Sequence, residues 1–169
     1  SFLHRGLKIV FRDRANDRTV ELRHEGGVAD YVAEITRQQE STAVLEAPFT
    51  LTRDDAGMRF ELAIAWTDAP REVLLTYVNG IPTGSGGTHE AGLRAGAFEA
   101  VKSFIEHRAL LPRGVKLQQD DVCSRMAYVL SARILDPQFQ GQVKEKLNSR
   151  EAVKLVSSMV RDPFEIWLN

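Results

Sequence analysis

Apolar residues alternate with other residues from Met58 through Phe60, Leu62, Ile64 and Trp66, with Arg59, Glu61, Ala63 and Ala65 between them. A period of two is the mark of a strand with one buried face, and it predicts a half-buried strand here. Earlier in the chain, Leu7 to Arg12 and Thr19 to Arg23 flank the polar stretch Asp13 to Arg18, which reads as a hairpin. The Gly26-Gly27 pair then punctuates the chain before a helix over Val28 to Arg37, with Val28, Val32 and Ile35 on one side. Gln38 to Thr42 is a polar linker, Val44 to Thr52 predicts a strand, and Asp54 to Gly57 a turn. Glu72 to Asn79 predicts a further strand, mixed enough in pattern to be buried on both faces.

The second half of the chain reads mostly as helix. A glycine-rich loop, Asn79 to Thr88, opens a long helix over Glu90 to His107, and Leu110 to Leu117 is a connector holding Pro112 and Gly114. Asp120 suits the N-cap of a short helix that leads into a strand over Ala127 to Leu135. Asn148 with Glu151 three residues on resembles a capping box for a last helix, which Pro163 should kink or divide. The apolar tail Trp167-Leu168-Asn169 ends so abruptly that it reads as a cut in a longer chain.

The helix from Glu90 carries two apolar stripes: Ala91, Ala95, Phe98, Val101 and Ile105, and beside it Leu93, Ala97, Ala100 and Phe104. Glu99, Lys102, Ser103 and Glu106 make the solvated face, whereas Glu90 and Arg94 fall between the stripes. Two readings of Arg94 follow. It forms an intrahelical i,i+4 ion pair with Glu90 in the first turn, or it is held at a concave surface and aimed at an anion.

Composition narrows the function classes. At 169 residues with 43% hydrophobic and 27% charged positions, the chain suits one domain of ordinary size with part of a neighbour. A net charge of −1 supplies no overall basic field, so contact with nucleic acid must come from a local patch. Cys123 is the single cysteine, which rules out a disulfide framework within the chain and fits a reducing cytoplasm. No run approaches the roughly 18 apolar residues of a membrane span, and no signal-peptide core is present at the start. His89 has no second histidine or thiol at ligand spacing, so no metal site is read; it is expected to be a structural hydrogen bonder, with His4, His24 and His107 exposed. Cys123 is expected to be a small buried or half-buried residue.

The loop Asp136-Pro137-Gln138-Phe139-Gln140-Gly141-Gln142-Val143-Lys144 joins a turn signal, an aromatic anchor and a flexible glycine to an amide and a lone ammonium. Gln142 can donate two hydrogen bonds and Lys144 is a compact point charge suited to phosphate. Read alone, both are also consistent with an ordinary solvated loop.

Asn79-Gly80-Ile81-Pro82-Thr83-Gly84-Ser85-Gly86-Gly87-Thr88-His89-Glu90-Ala91-Gly92-Leu93-Arg94 resembles the Gly-Gly-Thr-His signature of the type IIA DNA topoisomerase ATPase subunits. The lysine loop resembles, nearly letter for letter, the loop through which that family senses a γ-phosphate. Leu111 to Leu117, Ala127 to Ser131 and Ile166 to Asn169 are similar to the B subunit of bacterial topoisomerase IV more than to that of gyrase. The resemblance covers essentially the whole chain, with both motifs in the family's order and spacing.

The resemblance implies an α+β fold: a transducer domain like the second domain of ribosomal protein S5, with a left-handed βαβ crossover against the usual right-handed rule. Residues 1–25 would be the last hairpin of an Hsp90-like nucleotide-binding domain, and residues 26–169 the transducer. It implies that Lys144 reaches the γ-phosphate of ATP with Gln142 hydrogen-bonding beside it, and that Arg94 faces a captured DNA segment. ATP and Mg2+ would be used by the full-length protein, through motifs absent from this chain, so this segment alone should neither hydrolyse ATP nor cut DNA. Partners implied are DNA, the A subunit of topoisomerase IV and a second copy of the B subunit, in the cytoplasm. The implied task is to couple ATP binding and hydrolysis to gate closure and strand passage, for relaxation, decatenation and chromosome segregation. Val143 departs from the family's usual threonine. A gyrase B subunit and a diverged interaction module without ATP coupling are the alternatives.

Overall fold

A computed structural model of the chain describes residues 1–55 and 57–169. The alternating run forms strand β4 (Met58–Trp66), which pairs antiparallel with β3 (Phe49–Asp55) on one side and β7 (Met126–Ile134) on the other. β7 also pairs in parallel with β5 (Val73–Val78), and a two-residue strand β6 (Ile81–Pro82) closes the edge, giving the order β3-β4-β7-β5-β6. The parallel neighbours β5 and β7 are joined by a long connection through helices α2 (Thr88–His107) and α3 (Gln119–Cys123). The predicted first hairpin is a separate two-stranded sheet, β1 (Ile9–Asp13) with β2 (Arg18–Leu22).

Register decides which face each side chain meets. Phe60, Leu62 and Ile64 of β4 share a face with Tyr128 and Leu130 of β7, and all five are fully buried against α2 and α4 (Arg150–Leu168). The opposite face is covered only in part. Ala63, Ala65 and Val129 pack under Val28, Val32 and Ile35 of α1 (Val28–Gln38), while Arg59 beyond the helix's reach stays exposed. The period-two reading of β4 therefore holds for its first half; its second half is buried on both sides, with alanines where the helix comes close.

α2 and α4 pack together over the sheet. Leu93, Ala97 and Ala100 are the buried stripe of α2, whereas Ala91 is exposed, so one of the two predicted stripes carries the core. The close approach rests on glycines: a Cβ at Gly92 would lie 2.6 Å from the Val153 carbonyl oxygen, and one at Gly96 2.7 Å from that of Ser157. The i,i+4 spacing of these glycines lets the backbones touch, a signal that apolar periodicity overlooks.

Several expectations need correction. β3 starts at Phe49 rather than Val44. Continuing its register would set Ala47 opposite Trp66, but the Val44 N–H bonds that carbonyl at 2.7 Å, so the chain loops out before Pro48, which has no N–H to offer a ladder. α3 is capped at Gln118, not Asp120, because the Asp121 carboxylate accepts the Gln118 N–H at 2.7 Å. The N-cap of α4 is Ser149, not Asn148, and Pro163 does not divide the helix, which runs on to Leu168. Phe164, next to that proline, is fully buried with its ring stacked on Trp66 at 5.5 Å, so packing holds the last turns in place. β5 is largely half-buried rather than covered on both faces. His24 is half-buried too, its ring stacked on Phe2.

Candidate functional site

The segment 135–149 between β7 and α4 begins and ends in main-chain bonds to itself. Phe139 pairs antiparallel with Leu147; the Gln140 N–H donates to the Lys146 carbonyl at 2.9 Å and the Asn148 N–H to that of Gln138 at 2.7 Å. The Ser149 hydroxyl, itself buried, accepts the Gln138 N–H at 3.0 Å. Leu147 is fully buried among the core residues and pins this neck. Above the neck the chain turns at Gly141, whose φ of 79° is open to glycine and costly for others. Gln142 and Lys144 stand exposed at the tip, as expected from sequence. The Lys144 ammonium lies 5.9 Å from the centre of the Phe139 ring. Val143 is exposed, and its carbonyl accepts the Glu145 N–H at 2.7 Å.

The neck is fastened to the start of α2. The Leu147 N–H donates to the Gly86 carbonyl at 3.1 Å, the Thr88 N–H to the Leu147 carbonyl at 3.0 Å, and the Ser85 N–H to the Glu145 carbonyl at 3.0 Å. Gly87, at φ 138° and ψ −160°, lies in a backbone region that only glycine occupies readily. A side chain there would overlap the Leu147 carbonyl oxygen and come within 2.6 Å of its nitrogen. The glycine-rich motif and the lysine loop, far apart in sequence, are thus one zipped unit. Leu147 and Ser149 were missed as site residues from sequence. The one signal was an apolar leucine in the polar run from Lys144 to Arg150.

His89 sits beneath this turn, fully buried, with Nε2 3.2 Å from the Thr83 hydroxyl, which in turn lies 2.7 Å from the Thr76 hydroxyl. It is a structural hydrogen bonder, as expected. Burial pushes its pKa down from 6.5 to about 4, because the charged imidazolium would lose its water. The unfolded chain therefore binds a proton that the native state refuses as pH falls from 6.5 towards 4. Stability that is fully present above pH 6.5 is lost across that window, on the order of 3 kcal/mol in all. Denaturant unfolding of wild type and His89→Gln from pH 7 to 4.5 should give a steeper loss for the wild type. Parallel slopes would remove the buried neutral histidine from the account.

Arg94 makes the i,i+4 pair of its first sequence reading and a second ion pair that neither reading foresaw. Its Nε lies 3.4 Å from a Glu90 carboxylate oxygen, the expected i,i+4 pair, but its Nη2 bonds both oxygens of Glu72 at 2.7 Å. Glu72, at the lip of β5, was not foreseen, since nothing in sequence links it to a helix in the next layer. The arginine side chain is one-fifth exposed. Its burial opposes the charge, but hydrogen bonding to Glu72 outweighs that and holds its pKa well above the usual value. The Tyr128 hydroxyl below is buried near Glu90 and Arg94 without hydrogen-bond geometry to either. Burial likewise raises the Cys123 thiol, so Cys123 is a small core residue and a poor nucleophile. The Lys144 loop is bonded to Gly86–Thr88 and Arg94 pairs with Glu90. The two are connected through the start of α2, by Thr88 on one side and Glu90 on the other.

This set offers one exposed ammonium for a phosphoryl oxygen and one arginine already held by carboxylates. Among the described residues no group of three or more histidine, cysteine or carboxylate side chains could hold a metal ion. The exposed ammonium can make a single contact to a phosphoryl oxygen.

The sequence model of the DNA gyrase B family matches residues 27–169. The B subunit of DNA topoisomerase 4 from Pseudomonas aeruginosa is 42% identical over 97% of the chain, and that from Escherichia coli 41% over the same share. The gyrase B subunit of Halalkalibacterium halodurans is 30% identical over 99%. The chain spans about a quarter of these relatives, 26% of their length. Among solved structures, the 43K ATPase domain of Thermus thermophilus gyrase B, in complex with an aminocoumarin, superposes with a TM-score of 0.89 at 27% identity over 99% of this chain and 44% of that one. The topoisomerase IV ATP-binding domain of Francisella tularensis, in complex with a small-molecule inhibitor, gives 0.83 at 28% identity over 99% and 44%.

Proposed function

The chain belongs to the DNA gyrase B family, and on that premise we propose that it is the transducer region of an ATP-dependent type II DNA topoisomerase, of the kind found in the B subunit of topoisomerase IV. The observation that carries this reading is the zip between Gly86–Thr88 and Leu147, which presents Lys144 at an exposed tip on a fixed base. A lysine held this way can meet the γ-phosphate of a nucleotide bound by a preceding domain. There it stabilises charge that builds on the phosphoryl oxygens, while Gln142 donates a hydrogen bond beside it. Because the contact needs the triphosphate, the orientation of the two domains follows nucleotide state, and gate closure around a transported duplex follows from that.

In this reading residues 1–25 end an Hsp90-like nucleotide-binding domain and residues 26–169 form the S5-like transducer, with β5, α2 and β7 making the left-handed crossover. ATP with Mg2+ is bound upstream, Arg94 turns towards DNA phosphates, and the partners are the A subunit and a second copy of the B subunit in the cytoplasm. The chain alone is inactive. Higher identity to topoisomerase IV subunits than to gyrase favours decatenation over supercoiling as the task. The fit to a gyrase B structure keeps gyrase as the second reading, which a supercoiling assay of the full enzyme separates.

Lysine accessibility tests the contact directly. In the full subunit with Mg2+, a non-hydrolysable ATP analogue should protect Lys144 from an amine-reactive reagent about tenfold or more relative to ADP, as read by mass spectrometry of the 135–149 segment. Equal labelling in both nucleotides would sink the proposal.

A further inference from the structure

We propose that Glu90 is a positioning residue that links the Lys144 loop to Arg94. Its carboxylate touches both ends. One oxygen is folded back over Gly86, so that any side chain on that glycine would overlap it. The other lies 3.4 Å from Arg94 Nε. Gly86 is also the residue whose carbonyl accepts the Leu147 N–H at 3.1 Å, and Thr88 returns a bond to the same leucine. The Glu90 carboxylate therefore lies between the turn that anchors the lysine loop and the Arg94 guanidinium, within reach of both. Glu72 differs in kind: it bonds Arg94 Nη2 at 2.7 Å from the residue just before β5, whereas Glu90 meets Nε and belongs to the helix that the turn opens. Glu72 holds the arginine, whereas Glu90 informs it.

The inference rests on the readings of Lys144 and Arg94 given above and adds the connection between them. Packed side chains with two alternative arrangements are a physical route for coupling between distant sites. Binding coupling is reciprocal, so if triphosphate at Lys144 alters the hold on a duplex phosphate at Arg94, duplex must alter nucleotide binding. The linkage then reads out as stimulation of ATP turnover by DNA.

The test compares ATP turnover with and without duplex in the full subunit assembled with its partner subunit. Glu90→Gln and Glu90→Asp should lose the stimulation, the ratio of turnover with duplex to turnover without it falling to about one. Asp retains the charge but is too short to reach both Gly86 and Arg94, so it keeps the test decisive where Gln upsets folding. Glu72→Gln should keep the stimulation ratio within about twofold of wild type. Full stimulation in both Glu90 variants overturns the proposal. Equal loss in Glu72→Gln also overturns it, since the effect would then be the charge balance around Arg94. Arg94→Ala separates the foundations: if that variant is stimulated like wild type, the DNA-facing reading fails on its own account and this linkage falls with it.

Discussion

Lys144→Ala in the full subunit lowers ATP turnover by about 10²- to 10³-fold, the size of effect seen when one preorganised donor to a developing oxyanion is removed. The structure supports a contact of that weight for two reasons. The tip that carries Lys144 is exposed, yet its base is fixed by the Phe139–Leu147 pairing and by the Ser149 hydroxyl, so little order must be gained when the ammonium meets its target. In addition, no carboxylate among the described residues lies within ion-pair distance of Lys144, leaving its charge uncommitted except for the nearby Phe139 ring. Nucleotide affinity should fall far less than turnover, because the contact strengthens as charge moves onto the phosphoryl oxygens. Steady-state turnover with calorimetric nucleotide binding checks both parts. Unchanged turnover would reduce the lysine to a solvated loop residue and favour an interaction module.

Gly87→Ala destabilises the fold by about 4 kcal/mol, from backbone strain in a region barred to side chains together with displacement of the Leu147 backbone. The obstructing atoms are main-chain nitrogen and oxygen of a fully buried residue, so no flexible side chain can swing aside. Gly84 is the matched control. A Cβ there meets nothing within 4 Å, and Gly84→Ala should stay within about 0.5 kcal/mol of wild type. Urea unfolding of the two variants decides the matter, and comparable midpoints would mean the turn yields where the structure has it fixed. The functional consequence is sharper than the stability loss alone. Where Gly87→Ala still folds in the full subunit, the zip to Leu147 is broken, and turnover should fall although Lys144 is intact.

Much of the scaffold was legible from residue order because it depends on local chemistry. The alternation from Met58 to Trp66, the Val28, Val32 and Ile35 spacing, and the turn at the Gly26-Gly27 pair each carry their instruction within a few residues. Misreadings came where a distant partner overruled the local rule. Val44 looks like a strand start, but the bond to Trp66 spends the register early and the chain loops out before Pro48. Pro163 looks like a break, but Phe164 is locked between Phe49 and Trp66, and α4 continues through the proline. Glu72 carried no signal at all, since its role is created when α2 is laid across the sheet.

Residue order by itself determined the two chemical groups at the tip of the lysine loop, the glycines that make their approach feasible and the family to which the chain belongs. Each of these is a matter of side-chain type at a given position. Tertiary structure alone decided that Gly87 lies against Leu147 and that Glu72 joins Glu90 in holding Arg94. These contacts join positions far apart in the chain, and the loop-closure entropy they cost is offset by burial of the core around them. No local pattern encodes that balance.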